Sequence, residues 1–349
     1  RHGPDRLRTA GRTPPQEVIE MKKISIIMPV YKVDANAFRT CLKSIVSQDY
    51  PFIEILIVFD GTPSKELVDI VIAEKHKKTI KYYIKKHSGV SEARNYGIDR
   101  MTGEWCLFVD ADDSLKPHAL CSLYSNSLNS ILVVGGFEKK EKKRRTTIYT
   151  FDENIISSNA YIDIVLSSRP GAGTLWNKLF CSSIIHANKL RFNSDLAISE
   201  DTEFIIRFLL STQGCVSLTE NVVYEYHYSS GSSATRFHED YYLNILKAIE
   251  TVQNDLGMKS NTQFFYDYVL FHVLLIQQHY IFNMDNKWTD YKKREKYNEI
   301  RAIPIIDRAF ELSEFYGFDF KHRIALLAYK YNIYELSKFI SLIRERQLN

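Results

Sequence analysis

The chain has 349 residues, a formal net charge of +4 at pH 7 and a hydrophobic fraction of 45%. That suits one large or two smaller globular domains and excludes a disordered chain. So mild a positive balance gives no ground for a nucleic-acid partner, and none is expected.

The first twenty residues carry Arg, Pro and Gly but lack the apolar h-region of a secretory signal. Met21 is the expected natural start, and residues 1–20 are set aside as a tag-like, non-native disordered segment. "ISIIMPVY" (24–31) is a short apolar run that suits a buried parallel strand. "AFRTCLKSIVSQ" (37–48) puts Phe38, Cys41, Leu42, Ile45 and Val46 on one helical face. "IEILIVFD" (53–60) predicts a second buried strand, "SKELVDIVIAEKHK" a helix and "IKYYIK" a third strand. "SGVSEARNYGIDRM" (88–101) predicts a helix and "EWCLFVD" (104–110) a fourth strand. This alternation predicts a doubly wound α/β unit with a mainly parallel sheet. Ligands of such sheets sit beyond the carboxyl ends of the strands, where Pro29–Tyr31, Asp60 and Asp110–Asp113 fall.

After "ILVVGGF" the basic stretch "EKKEKKRRTT" (138–147) reads as a solvated hairpin or loop. Short strands are expected at "LWNKLF" (175–180), "GCVSL" and "VVYEYHY" (222–228), and helices from about residue 236 to the end. The most apolar long run there, "FFYDYVLFHVLLIQQHYIF", is broken by Asp267, His272, Gln277, Gln278 and His279. It predicts a buried helix; no stretch reaches the ~18–20 apolar residues a membrane span needs. The five cysteines, Cys41, Cys106, Cys121, Cys181 and Cys215, form no C-x-x-C pair. They are expected to be reduced and mainly in the core, as in a cytosolic protein.

Three acids within four positions, Asp110, Asp112 and Asp113, repel one another unless water or a cation relieves them. No His or Cys stands at zinc-ligand spacing. Neither G-x-G-x-x-G nor G-x-x-x-x-G-K-[ST] is present, which argues against a dinucleotide oxidoreductase and a P-loop ATPase. Close carboxylates suit a hard cation, Mg²⁺ or Mn²⁺, shared with a substrate's phosphates.

The ordered set "ISIIMPVYKV", "IEILIVFDGT", "SGVSEARNYGIDRMTGEWCLFVDADD", "WNKLF" and "ISEDTEF" resembles glycosyltransferase family 2, the inverting GT-A enzymes that use nucleotide-sugars, in its bacterial surface-polysaccharide form. The resemblance spans about residues 22–235. It implies a Rossmann-like α/β/α sandwich with a C-terminal helical extension. The halves expected are 21–115 for the nucleotide-sugar and 116–235 for the acceptor, followed by helices over 236–349.

The resemblance also implies roles. Asp110, Ala111 and Asp112 match the D-x-D motif, whose acids hold Mn²⁺ or Mg²⁺ on the donor diphosphate, with Asp113 as a further candidate ligand. Pro29, Val30 and Tyr31 match the first nucleotide-binding loop, with Tyr31 against the base or capping the core. Asp60 matches the base-contacting acid, or simply forms the turn before Gly61. Arg94 and Asn95 match the family's "ARN" on the nucleotide side; a surface salt bridge is the other reading of Arg94. Trp176 and Lys178 match an acceptor-side segment, with core packing as the other reading of Trp176. Asp201 matches the general base, with Glu200 orienting it; the same acids also suit an ordinary helix start capped by Ser199, to which Glu203 belongs. The segment "VVYEYHYSSGSSATRF" resembles one that closes over the diphosphate, with His227, Tyr228 and Arg236 as candidates for helping the leaving group.

The expected activity is transfer from a nucleotide-sugar, a UDP-sugar by preference, to a glycan or lipid-linked acceptor at or near the cytoplasmic face of a membrane. "KWTDYKKREKY" (287–297) interleaves aromatics with cations and suits either a peripheral membrane contact or a solvated helix face. A homo-oligomer stays open. The rival readings are a sugar-phosphate nucleotidyltransferase, which usually has a Gly-rich loop that "PVYKVDANAF" lacks, and a non-catalytic sugar-nucleotide-binding subunit.

Overall fold

The computed structural model describes residues 21–75, 78–141, 146–228, 237–257, 262–315 and 317–348. The expectations for residues 1–20 and for Arg236 lie outside these residues.

The first half alternates as β1 (Ile24–Val30), α1 (Ala35–Val46), β2 (Ile53–Asp60), α2 (Lys65–Glu74), β3 (Thr79–Lys85), α3 (Val90–Ile98) and β4 (Trp105–Phe108). Every residue of β1 and β2 is buried, because helices cover both faces, as continuous apolar runs require. Side chains alternate between the faces. Ile24, Ile26 and Met28 pack with Phe38, Leu42 and Ile45 of α1, while Ile27 packs with Ile98 of α3. Each such aliphatic side chain contributes roughly 1.5–3 kcal/mol by leaving water. Helix α1 begins where Asp34 accepts hydrogen bonds from the Asn36 and Ala37 amides, the standard means of satisfying open helix donors.

The chain continues through β5 (Ser114–Leu115), α4 (Ala119–Ser125), β6 (Ser130–Glu141), β7 (Thr146–Tyr149), β8 (Asn154–Ser157), α5 (Ser158–Leu166), β9 (Lys178–Cys181), α6 (Ser182–Ala187), α7 (Glu200–Leu210) and β10 (Cys215–Tyr228). The sheet order is β3-β2-β1-β4-β9-β6-β10-β5, with β7 on β6 and β8 on β10. The parallel character expected for the sheet is confined to β3-β2-β1-β4 and to β6 against β10; β9, β5, β7 and β8 pair antiparallel. The basic stretch forms facing ends of β6 and β7, with its tip, residues 142–145, outside the described residues. "GCVSL" and "VVYEYHY" are one strand, β10, whose register shifts between Leu218 and Tyr224.

Helices α8 (Tyr241–Leu256), α9 (Thr262–Ile276), α10 (Asp290–Arg301), α11 (Pro304–Leu312), α12 (Phe320–Lys330) and α13 (Tyr334–Leu348) complete the chain. The long apolar run forms α9 and a π-helical turn over Gln277–Ile281. Its acid, Asp267, is fully buried and accepts hydrogen bonds from Ser313 Oγ and the Gly317 amide. No described helix is long and apolar enough to cross a membrane. One apolar cluster runs from Phe108 and Phe180 through Phe204 of α7 to Tyr268, Tyr297 and Tyr329, so the core continues past residue 236. All five cysteines are free. Cys41 and Cys106 are buried, Cys121 and Cys181 half-buried and Cys215 exposed, so the core expectation holds for two.

Candidate active site

The carboxyl ends of β2, β1 and β4 lie side by side along one edge of the sheet. Pro29 and Val30 are buried at the end of β1. Tyr31 emerges 48% exposed and stacks on His87, with ring centroids 4.1 Å apart and planes 6° from parallel. Asp60 closes β2 at 2% exposure. Its Oδ1 accepts from Lys85 Nζ at 2.8 Å and the Ser88 amide at 2.9 Å; its Oδ2 accepts from the Gly89 amide at 2.8 Å and faces His87 Nδ1 at 2.7 Å. Burial alone would raise this carboxyl, but the donors around it outweigh burial and hold it below the ordinary range. Gly89 takes φ +98 to present that amide, a conformation glycine adopts without strain. The Asp60 oxygens are thus engaged by residues 85–89, and one of them faces the His87 ring that stacks on Tyr31. Nothing in the quoted sequence segments pointed to His87.

Beyond β4, Ala111 is buried and Asp112 is exposed at the rim. Asp113 is 1% exposed; it accepts from Tyr224 Oη at 2.9 Å and from the His227 amide at 2.7 Å. Tyr224 Oη in turn accepts from the Asp110 amide at 3.1 Å. Burial first, then the Asp110 charge, pushes Asp113 up to about 8. Asp112 is also raised, first by lost hydration and then by Asp110; its tip meets water while protein crowds its other sides. Crowding and lost hydration thus favour a proton or a cation at the cluster. Among the described residues, no three groups already converge as a metal cage. The hard oxygen donors nonetheless fit Mg²⁺ or Mn²⁺ chemically; one Asp110 oxygen is shared with Arg94, and Asp113 is engaged by Tyr224 and the His227 amide.

Arg94, on α3, is the hub. It is 4% exposed, and its guanidinium reaches Asp201 at 2.7 Å, Glu200 at 3.1 Å and Asp110 at 3.3 Å. Its partners on α7 and beyond β4 are thus drawn to one point, and it is no surface salt bridge. Three carboxylates share one cation, so desolvation and the neighbouring acids leave Asp201 well above the usual carboxylate range despite Arg94. The Asn95 side chain donates to the Phe192 carbonyl at 3.0 Å and accepts from the Phe192 amide at 2.7 Å, clamping that backbone. Ser199 starts α7 but its side chain caps no amide. Glu203 is buried against Arg207.

On the other wall, Trp176 is 6% exposed, stacked on Tyr224 at 4.5 Å and Tyr226 at 5.7 Å and edge-on to Phe137 at 4.8 Å. Lys178 is fully buried, with Nζ donating to Gly171 O at 2.7 Å, Thr174 O at 2.6 Å and Asn177 Oδ1 at 2.9 Å. Both side chains are buried in this wall and stacked on, or bonded to, protein. Sequence reasoning missed Tyr224 as the strut between Asp110 and Asp113, although the Tyr-x-Tyr-x-Tyr alternation of β10 was its signal. His227 stands with Nδ1 3.0 Å from the Asp112 carbonyl and Nε2 2.8 Å from Glu225.

A parallel-stranded first half, an acid cluster at its switch point and a second acid pair joined to it through Arg94 go with a glycosyltransferase of the GT-A fold. The profile of glycosyl transferase family 2 matches residues 25–178. The putative glycosyltransferase EpsH of Bacillus subtilis (strain 168) is 25% identical over 346 residues, covering 94% of this chain and 97% of EpsH. The poly(ribitol-phosphate) beta-N-acetylglucosaminyltransferase TarP of Staphylococcus aureus (strain N315) is 30% identical over 212 residues, covering 59% of this chain and 62% of TarP. Among solved structures, S. aureus TarS 1–349 in complex with UDP-GlcNAc superposes with a TM-score of 0.65 at 19% identity, over 93% of this chain and 92% of that one. Residues 25–178 thus match glycosyltransferase family 2, and the chain is a glycosyltransferase. The nucleotidyltransferase and non-catalytic readings are left without support.

Proposed function

We propose that this protein transfers a sugar, with inversion, from a UDP-sugar to a hydroxyl of a glycan or lipid-linked oligosaccharide on the cytoplasmic side of a membrane. The carrying observation is Arg94, which ties the acids after β4 and the acids opening α7 to one guanidinium. A donor at the first group and an acceptor at the second then meet across a single sugar ring. The UDP-GlcNAc bound by TarS and the acceptor in the name of TarP support this class of donor and acceptor.

Tyr31 and His87 form the aromatic edge for the base. Asp110 and Asp112 would hold the metal, with Asp113 bonded to Tyr224 beside them. Mn²⁺ or Mg²⁺, when bound, supplies Lewis-acid neutralisation of the leaving diphosphate. Asp201 takes the proton of the acceptor hydroxyl as that oxygen attacks the anomeric carbon opposite the diphosphate. Glu200 shares Arg94 with Asp201 and keeps it oriented. Membrane contact is supported less: Lys292 lies over Trp288 at 4.8 Å and Arg294 is spent on Glu335 at 2.6 Å, while Tyr291 stays 79% exposed.

The test is calorimetry of UDP with and without Mn²⁺, beside a nucleotide-sugar screen. The parent should bind UDP in a metal-dependent way. Asp112→Ala should lose roughly tenfold or more of that affinity, about 1.4 kcal/mol. Unchanged metal-dependent affinity in Asp110→Ala, Asp112→Ala and Asp113→Ala alike would remove the assignment.

A further inference from the structure

Opposite Arg94, the start of α7 is held by a residue from the helical third of the chain. His272 of α9 is 2% exposed. Its Nδ1 lies 2.8 Å from the Tyr268 carbonyl and its Nε2 lies 2.9 Å from Ser199 Oγ. A carbonyl only accepts, so Nδ1 carries the proton; Nε2 is then the acceptor and the serine hydroxyl the donor. Burial holds the ring neutral, with its pKa lowered to about 4.

Ser199 is unusual in its own right. It takes φ +63, the left-handed region, which a serine enters at some strain. Its hydroxyl does not cap α7 and is given to His272 instead. The next two residues are Glu200 and Asp201, both bonded to Arg94 Nη1. The acid pair is thus gripped from two sides: from the nucleotide half by Arg94, and from α9 through Ser199.

We propose that His272 is a positioning residue for the transfer, holding the turn at Ser199 so that the Asp201 carboxylate points into the cleft. This rests on the reading of Asp201 as base. It also gives the helical third a part in the chemistry: α9 sets the aim of a residue it does not touch. Losing the grip lets the α7 start relax, and small misplacements of a reacting group lower rate far more than binding.

The experiment compares Ser199→Ala, His272→Leu, their double variant, His272→Gln and Asp201→Asn in UDP-GlcNAc turnover, with UDP affinity and melting temperature measured on each. In Ser199→Ala and His272→Leu, kcat should fall about tenfold, with KM for the donor and UDP affinity unchanged. The double variant should be no worse than either single one, because both break the same bond. His272→Gln, whose amide oxygen can accept in place of Nε2, should recover most of the rate. A rate within twofold of the parent for both single variants, or losses that multiply in the double, would overturn the proposal. If Asp201→Asn also keeps its rate, the base reading has failed; if Asp201→Asn alone is slow, only the role of His272 has. Nitrogen-15 NMR of the imidazole gives a readout that needs no donor. The parent should show a bare, hydrogen-bonded Nε2 that shifts in Ser199→Ala, and no shift there would equally overturn the proposal.

Discussion

Asp201 lies 2.7 Å from a buried guanidinium that it shares with two other acids, and its chemistry follows from that crowding. Asp201→Asn keeps the shape but cannot take a proton. Turnover should drop by roughly 10²–10⁴-fold, with UDP affinity and melting temperature nearly kept. An ordinary helix-start acid predicts no such loss, since Asn serves equally well near a helix start, so kcat on this one variant separates the readings. Lys178 makes the opposite case. Its three acceptors are all within the 171–177 segment and its own neighbour, and burial drives its pKa well below the usual lysine range. Lys178→Met should lower stability by about 3 kcal/mol through unsatisfied acceptors. The acceptor KM of the folded fraction should stay unchanged, whereas a direct sugar contact would raise it. Urea titration and steady-state kinetics measure the two.

Among the elements, α3 matters most, because it carries Arg94 and lies on β1 without a spacer. A Cβ on Gly97 would stand 2.5 Å from Ile27 Cγ2, nearer than real contacts allow. Gly97→Ala should therefore destabilise by about 1–3 kcal/mol. Because Arg94 is one helical turn away, the same push should displace the guanidinium and reduce kcat in the folded fraction. Denaturant midpoints and kcat measured together test this; a stable variant of full activity would mean that α3 has more room on the sheet than its packing implies. The acidic helix α7 is tied on one side by this element and on the other by α9, which is why neither half of the chain holds the acid pair alone.

Across the molecule, the apolar cluster that runs from the sheet into the helical third takes in histidines as neutral groups. His272 and His279 are both lowered to about 4 by burial. An unfolded chain binds protons at these rings below about pH 6.5, while the folded chain resists them down to about 4. Stability should be unaffected by them above pH 6.5 and fall as pH drops through that window, by up to about 3 kcal/mol for His272. Carboxylates such as Asp60, lowered by their donors, add their loss only further down, as pH falls through their folded pKa. Urea melts from pH 7 to pH 4.5 should show the histidine slope, and His272→Leu should flatten it. An unchanged slope in that variant would mean that the ring is not buried neutral.

Much of the β1–β4 half was legible in the amino-acid order alone. Periods of two and of 3.6 are local properties, so β1 to β4 and the helices between them could be read, and the acids fell at strand ends by topology. The family likeness likewise needed only ordered short segments. Antiparallel β9 between β4 and β6, and the fusion of two expected strands into β10, were not legible, because pairing partners lie far apart in sequence and bulges leave no local mark. The same limit governed the site. Asp60, Asn95, Trp176 and Lys178 have residue types that suit ligand contact, and the protein partners they take up became visible only in the fold. Arg94 joins residues 16, 106 and 107 positions away, and His272 meets Ser199 across 73 positions. Residue type and local period are written in the chain; which polar groups spend their hydrogen bonds on protein, and which keep them for a substrate, is decided only when distant segments pack.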